Sequence, residues 1–234
     1  LDSTRQGFED AFKEAGLKVE FDEQNAQGEI PTANVIANKF VTDKVDLIFS
    51  IATPTTQAVV NATSTIPVVF SAVTDPQSAG LLKENVTGSS DRVDNVGEQL
   101  DILKELNPNA KTIGILFSSS EQNSITQVEA IKKVAAEKGI EVVEQSVTSA
   151  SEITQALSNL LPKVDALYIP TDNLVVSNMP AVVERANAAK KIVIATDEGS
   201  VATGALYTKG IDFYDLGKEA GKLAIQILKD GKKP

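Results

Sequence analysis

Five segments rich in hydroxyls, amides and acids carry the chemistry open to this chain: Ala52-Thr53-Pro54-Thr55-Thr56, Ser71-Ala72-Val73-Thr74-Asp75, the run from Ser118 to Ser124, Pro170-Thr171-Asp172-Asn173, and Thr196-Asp197-Glu198-Gly199-Ser200. Each follows a short apolar run, and ligands of open α/β sheets bind at the carboxyl ends of strands. Thr53-Pro54 reads as a helix start, threonine as N-cap and proline at the first helical position, with the N–H groups of Thr55 and Thr56 left free. Free amides and hydroxyls at a helix N-terminus suit a carboxylate or phosphate; the plainer alternative is that Thr53 only caps its helix. Ser71 and Thr74 add hydroxyls after the next strand. In the third segment Ser119, Glu121 and Ser124 offer donors and an acceptor to a zwitterion, or else form a solvated cap with Asn123 or Ser124 at the N-cap.

Asp172, with Asn173 beside it, and Asp197 lie at the ends of neighbouring strands, where carboxylates can pair with an ammonium group. Alternatively Asp172 caps the next helix and Asp197 stabilises a turn. Two acids in a cleft also evoke glycoside hydrolysis, but the chain has no tryptophan and only 5% aromatic residues with which to build a sugar platform. The third segment lacks the glycines and lysine of a phosphate loop, and no G-x-G-x-x-G occurs, which disfavours nucleotides.

Composition narrows the chemistry further. Lysine and arginine number 22 against 32 acidic residues, a net charge of −10 that repels nucleic acid. With no cysteine and no histidine, thiol nucleophiles, Ser-His-Asp triads and the usual zinc ligands are excluded together. The reading is of a non-enzyme without a cofactor. Absence of cysteine fits an extracytoplasmic protein. No apolar run approaches the length that spans a bilayer and no signal peptide is present, so an exported protein would be read here in a mature or trimmed form.

The elements that must position these segments repeat. Lys44-Val45-Asp46-Leu47-Ile48-Phe49 and Lys163-Val164-Asp165-Ala166-Leu167-Tyr168 each run from a charged helix end through an apolar strand into a polar turn. Ile66 to Ser71 matches Lys191 to Thr196 in the same way. Phe8-Ala11-Phe12-Ala15 predicts a helix closed by Gly16, followed by a strand in Leu17-Val19-Phe21; Val128-Ile131-Val134-Ala135 predicts a helix closed by Gly139, followed by a strand from Ile140. A strand over 112–117 precedes this second copy and has no counterpart before the first. The second half therefore reads β-α-β-α-β-α-β, a doubly wound parallel sheet, and two such units facing each other across a cleft describe a ligand-binding chain. A helix is expected over 91–106 on Val93, Val96, Leu100 and Leu103, with Thr87-Gly88-Ser89-Ser90 before it as hinge and a second crossover at Ala202-Thr203-Gly204-Ala205. A last helix, 214–228, returns to the first lobe. This gives lobe 1 as residues 1–88 plus 205–234 and lobe 2 as 89–204.

Together, Leu1-Asp2-Ser3-Thr4-Arg5-Gln6-Gly7-Phe8, the segment 46–54, Pro67 to Pro76, Tyr168 to Asn173 and Gly210-Ile211-Asp212-Phe213-Tyr214-Asp215-Leu216-Gly217 resemble the ABC transporter substrate-binding proteins of the tryptophan/tyrosine-binding type, over essentially the whole chain. The resemblance implies a type I periplasmic-binding-protein fold: two Rossmann-like lobes joined by a multi-strand hinge, lacking here the family's first strand and C-terminal strand. It implies an amino acid or related small molecule trapped as the lobes close. The polar turns of this chain are read as holding a small zwitterion, an aromatic or large apolar amino acid, with Thr53, Thr55 and Ser71 on its carboxylate and Asp197, with Asp172 or Glu121, on its ammonium. Implied partners are an ABC permease and its ATPase; the location is a cell surface, through a lipid anchor outside this chain, or the periplasm. The same fold also serves ligand-sensing modules of regulatory proteins, against which the lack of a basic patch or helix-turn-helix speaks.

Overall fold

A computed structural model describes residues 1–92, 95–206 and 211–234; Val93, Gly210 and the side chain of Glu198 lie outside what it describes. The chain divides into two compact units, residues 1–92 with 212–234 and residues 93–211. Each is a parallel sheet layered with helices.

In the first unit β1 (Ile48–Ile51), β2 (Val68–Ser71) and β3 (Val86–Gly88) run parallel in that order, Ile48 opposite Val68 and Val68 opposite Val86. All four residues of β2 are buried, as a central strand covered on both faces requires. On one face α2 (Ile30–Asp43) and α3 (Thr53–Ala62) close a core of Ala37, Ile48, Val59, Val68, Phe70 and Leu81. On the other lie α1 (Asp2–Glu14) and α10 (Phe213–Asp230), whose Phe8, Phe12, Ala220 and Ala224 pack on Val69. These two helices cross closely. A methyl group on Gly7 would stand 2.0 Å from the Tyr214 carbonyl oxygen, and one on Gly217 1.8 Å from that of Thr4, so glycine alone permits the approach.

The second unit opens with α4 (Val96–Leu106) and contains a sheet ordered β5-β4-β6-β7, from β4 (Thr112–Ser118), β5 (Glu141–Val147), β6 (Ala166–Ile169) and β7 (Ile192–Ala195). α5 (Gln122–Glu137) and α4 cover one face through Ile131 and Leu100, and α6 (Ile153–Leu160) with α8 (Met179–Ala188) cover the other through Leu157 and Val182. Strand order leaves β4 and reverses direction between β5 and β6, the doubly wound arrangement. α5 ends on Gly139 at φ 65°, where a left-handed residue lets the Ile140 N–H return to the Ala135 carbonyl at 2.9 Å.

Three local expectations are corrected. Leu17-Val19-Phe21 is not a strand: it pairs with neither edge of the sheet, and Phe21 instead sets its ring edge-on to Phe12 at 5.7 Å. Thr87-Gly88 belongs to β3 rather than to a connecting loop, with Gly88 in place because a side chain there would meet the Phe70 carbonyl at 2.1 Å. α4 begins at Val96, and Asp91 stands outside it, buried beside β2.

Candidate functional site

In the first unit the three parallel strands bring residues 52–53, 71–74 and 89–91 to one edge of the sheet. Ala52 leaves β1 at φ 76° and ψ 156°, a conformation that costs a non-glycine residue about 1–3 kcal/mol. It is pinned there by its N–H on the Ser71 carbonyl (3.0 Å) and by its own carbonyl, which accepts the Thr56 N–H (3.1 Å) and hydroxyl (2.8 Å). Ala52, not Thr53, is thus the N-cap of α3, Pro54 falls at the second helical position, and the Thr56 amide is not free. The orphan amides of the first turn are those of Thr53 and Thr55. The Thr55 hydroxyl is spent on the Ile51 and Ala52 carbonyls. The Thr53 hydroxyl, of a residue 2% exposed, has no hydrogen-bond partner among the described residues.

At the end of β2 the Ser71 and Ser89 hydroxyls share a hydrogen bond of 2.9 Å, and Ser89 donates onward to the Leu216 carbonyl of α10. Ala72 follows at φ 56°. The Asp91 N–H reaches the Val73 carbonyl, and the Thr74 hydroxyl bonds the Asp91 carboxyl group. Burial pushes that carboxyl up to about 6, against the smaller opposing pull of Thr74.

In the second unit the acids form a framework. Asp172, 1% exposed, caps α7 (Asn173–Ser177) by accepting the Val175 N–H at 2.8 Å, and it also accepts the Ser118 N–H and the Ser124 hydroxyl, the latter at 2.6 Å. Glu121 is the N-cap residue of α5 in backbone conformation, in place of the Asn123 or Ser124 expected, yet its side chain crosses to α7. It accepts the Asn173 and Leu174 amides at 3.0 and 2.9 Å and the side-chain amides of Asn123 and Asn173. Desolvation, with the Glu121 charge as a lesser cause, raises the Asp172 carboxyl to about 6. Asn123 also ties the Thr171 carbonyl at 2.7 Å, leaving its own Oδ1 without a partner.

Asp197, half-buried, caps α9 (Glu198–Ala202) on the Ser200 N–H and hydroxyl. Ser119 is exposed, and the Thr171 and Thr196 hydroxyls bond each other at 3.0 Å. The structure therefore gathers Glu121, Ser124, Asp172 and Asn173 into one network, and Thr53, Ser71 and Thr74 along one sheet edge. Asp91 was missed as a polar group because it was counted as the start of a helix. No group of acids among the described residues forms a metal site.

The profile of a family described as ABC transporter substrate binding protein matches residues 1–234. A tyrosine-binding protein of Clostridioides difficile is 46% identical over 242 residues, covering 99% of this chain and 70% of that protein. The ABC domain from Streptococcus pneumonia, solved in complex with L-Trp, superposes with a TM-score of 0.95 at 38% identity, over 100% of this chain and 82% of that one. A substrate-binding protein with adhesive properties from Clostridium difficile, in its ligand-free, open structure, gives 0.68 at 46% identity over 99% and 81%. The fold is that of the type I periplasmic binding proteins.

Proposed function

Because the chain belongs to the ABC transporter substrate-binding proteins, we propose that it captures an aromatic amino acid outside the cytoplasm and hands it to an ABC permease driven by its ATPase, without catalysing a reaction. The observation that carries this reading is the Thr53 hydroxyl, buried and unpartnered at the N-terminus of a ten-residue helix. A buried hydroxyl without a partner costs about 1–3 kcal/mol, which a ligand carboxylate bonded to it and to the first-turn amides would recover. Ser71 and Thr74 stand on the same edge; Asp197, half-buried, and Ser119, exposed, are the second unit's candidates for further contacts. Glu121, Ser124, Asp172 and Asn173 hold those loops in place. The relatives that bind tyrosine and carry L-Trp support an aromatic side chain. Binding that engages both units would favour closure, since such contacts exist only in the closed state. Export, by lipid anchor or into the periplasm, follows the family; no helix among the described residues is long and apolar enough to cross a membrane.

Calorimetric titration with L-tyrosine, L-tryptophan and the other amino acids tests the reading, with sugars and nucleosides as controls. Thr53→Val removes the hydroxyl and keeps the shape, so affinity is expected to fall about tenfold to a hundredfold while the ligand-free melting temperature holds or rises by a few degrees, the unpaired hydroxyl being gone. No amino acid bound by the wild type would end the proposal, and unchanged affinity in Thr53→Val would remove Thr53 from the site.

A further inference from the structure

Three carboxylates are buried among the described residues: Asp91, Glu121 and Asp172. Both carboxylates of the second unit are saturated by amides and hydroxyls supplied by their own framework. Asp91 is different. It is 3% exposed, and its Oδ1 has no hydrogen-bond partner. Beside it stand the Thr74 hydroxyl and its own backbone, with the Ser90 hydroxyl donating to the Thr74 carbonyl, and among the described residues burial, Thr74 and that backbone are what move its titration. A carboxylate so placed is held at a cost unless a cation completes it.

The parallel register sets Asp91 at the same sheet edge as Thr53, whose hydroxyl is also unpartnered. One is a donor beside free helix amides, suited to a carboxylate; the other is an acid with an unfilled oxygen, suited to an ammonium. We propose that Asp91 receives the ammonium of the bound amino acid, so that both charges of the zwitterion are read within the first unit. This inference rests on the amino-acid reading above and changes its distribution of charge: the acids of the second unit shape loops, and side-chain selection falls to the rest of the pocket.

The test compares L-tryptophan with indole-3-propionate, which keeps ring and carboxylate and lacks the ammonium, on the wild-type chain and on Asp91→Asn. Asparagine preserves size and can still bond Thr74. The expected result is a loss of about 100-fold in affinity for L-tryptophan with a change below threefold for indole-3-propionate. Retained L-tryptophan affinity, or an equal loss for both ligands, overturns the assignment. The amino-acid reading itself fails separately, if the wild type binds neither L-tryptophan nor L-tyrosine.

A wild-type measurement covers the case of an Asp91→Asn chain that does not fold. An ammonium seated on Asp91 lowers the pKa of a carboxyl that sits at about 6 in the free protein. L-Tryptophan binding at pH 6 should therefore release a fraction of a proton, seen as a binding heat that varies with the ionisation enthalpy of the buffer. Indole-3-propionate should release less. No release, or equal release by the two ligands, counts against the proposal.

Discussion

Gly217→Ala is expected to destabilise the first unit by about 3 kcal/mol, a fall in its melting temperature of roughly 10 °C. The added methyl would lie 1.8 Å from the Thr4 carbonyl oxygen, 2.6 Å from its carbon and 2.9 Å from its Cα, all backbone atoms that no rotamer change can move aside. Relief requires α1 and α10 to separate, which loosens Phe8, Phe12, Ala220 and Ala224 over Val69. Alanine is the better helix former by about 1 kcal/mol, an opposing gain too small to offset the overlap. Chemical denaturation followed by circular dichroism checks this. An unchanged or raised midpoint would show that the helices can part freely and that the close crossing contributes little.

Asp172→Ala is the second large effect, a destabilisation of about 3 kcal/mol in the other unit. The substitution leaves the Ser118 and Val175 amides and the Ser124 hydroxyl without an acceptor in a site closed to water. Part of this loss is offset, because the wild-type carboxylate is itself desolvated and faces Glu121. That offset depends on pH with a definite sign. The carboxyl titrates at about 6 in the folded chain and near 3.8 in the unfolded one, so between these values the folded state holds more protons. Its contribution is fully present below pH 4 and is lost as pH rises through 6. The gap between wild type and Asp172→Ala should accordingly be wider at pH 5 than at pH 7.5. Asp91 titrates with the same sign but in both proteins, so it cancels in the difference. A gap that widens toward neutral pH would contradict the assignment.

Much of this was legible in the residues. The repeated Lys-Val-Asp strand units, the Gly139 helix ending and the doubly wound order of the second unit follow from apolar periodicity and left-handed glycine, and the structure shows each. What failed did so where tertiary contact overrides local pattern. Thr87-Gly88-Ser89-Ser90 reads as a hinge, yet its glycine closes β3 and is what lets that strand approach Phe70. Leu17-Val19-Phe21 alternates like a strand, but Phe21 packs on the rings of Phe8 and Phe12 and the segment joins no sheet edge.

The polar turns show the same limit. Their residues were visible, but which carboxylate would be consumed by a neighbouring helix depends on a partner about fifty positions away, as with Glu121 and the amides of Asn173 and Leu174. Asp91 carries no motif at all. Its significance lies in an empty hydrogen-bond position, which no spacing encodes.

The pairing of α1 with α10 also fixes the order in which the chain can become a protein. The second unit is one uninterrupted stretch, 93–211, whereas the first is built from 1–92 and 212–234. During synthesis the later unit can therefore fold while the earlier one still lacks the helix that covers Phe8, Phe12 and Val69. An exporter or ribosome handling the emerging chain meets an apolar face on residues already made, open until α10 arrives. Release of stalled nascent chains ending near residue 211 into limited protease should cut the first ninety residues and spare the stretch that follows; equal protection of both would show that the first unit closes without its last helix.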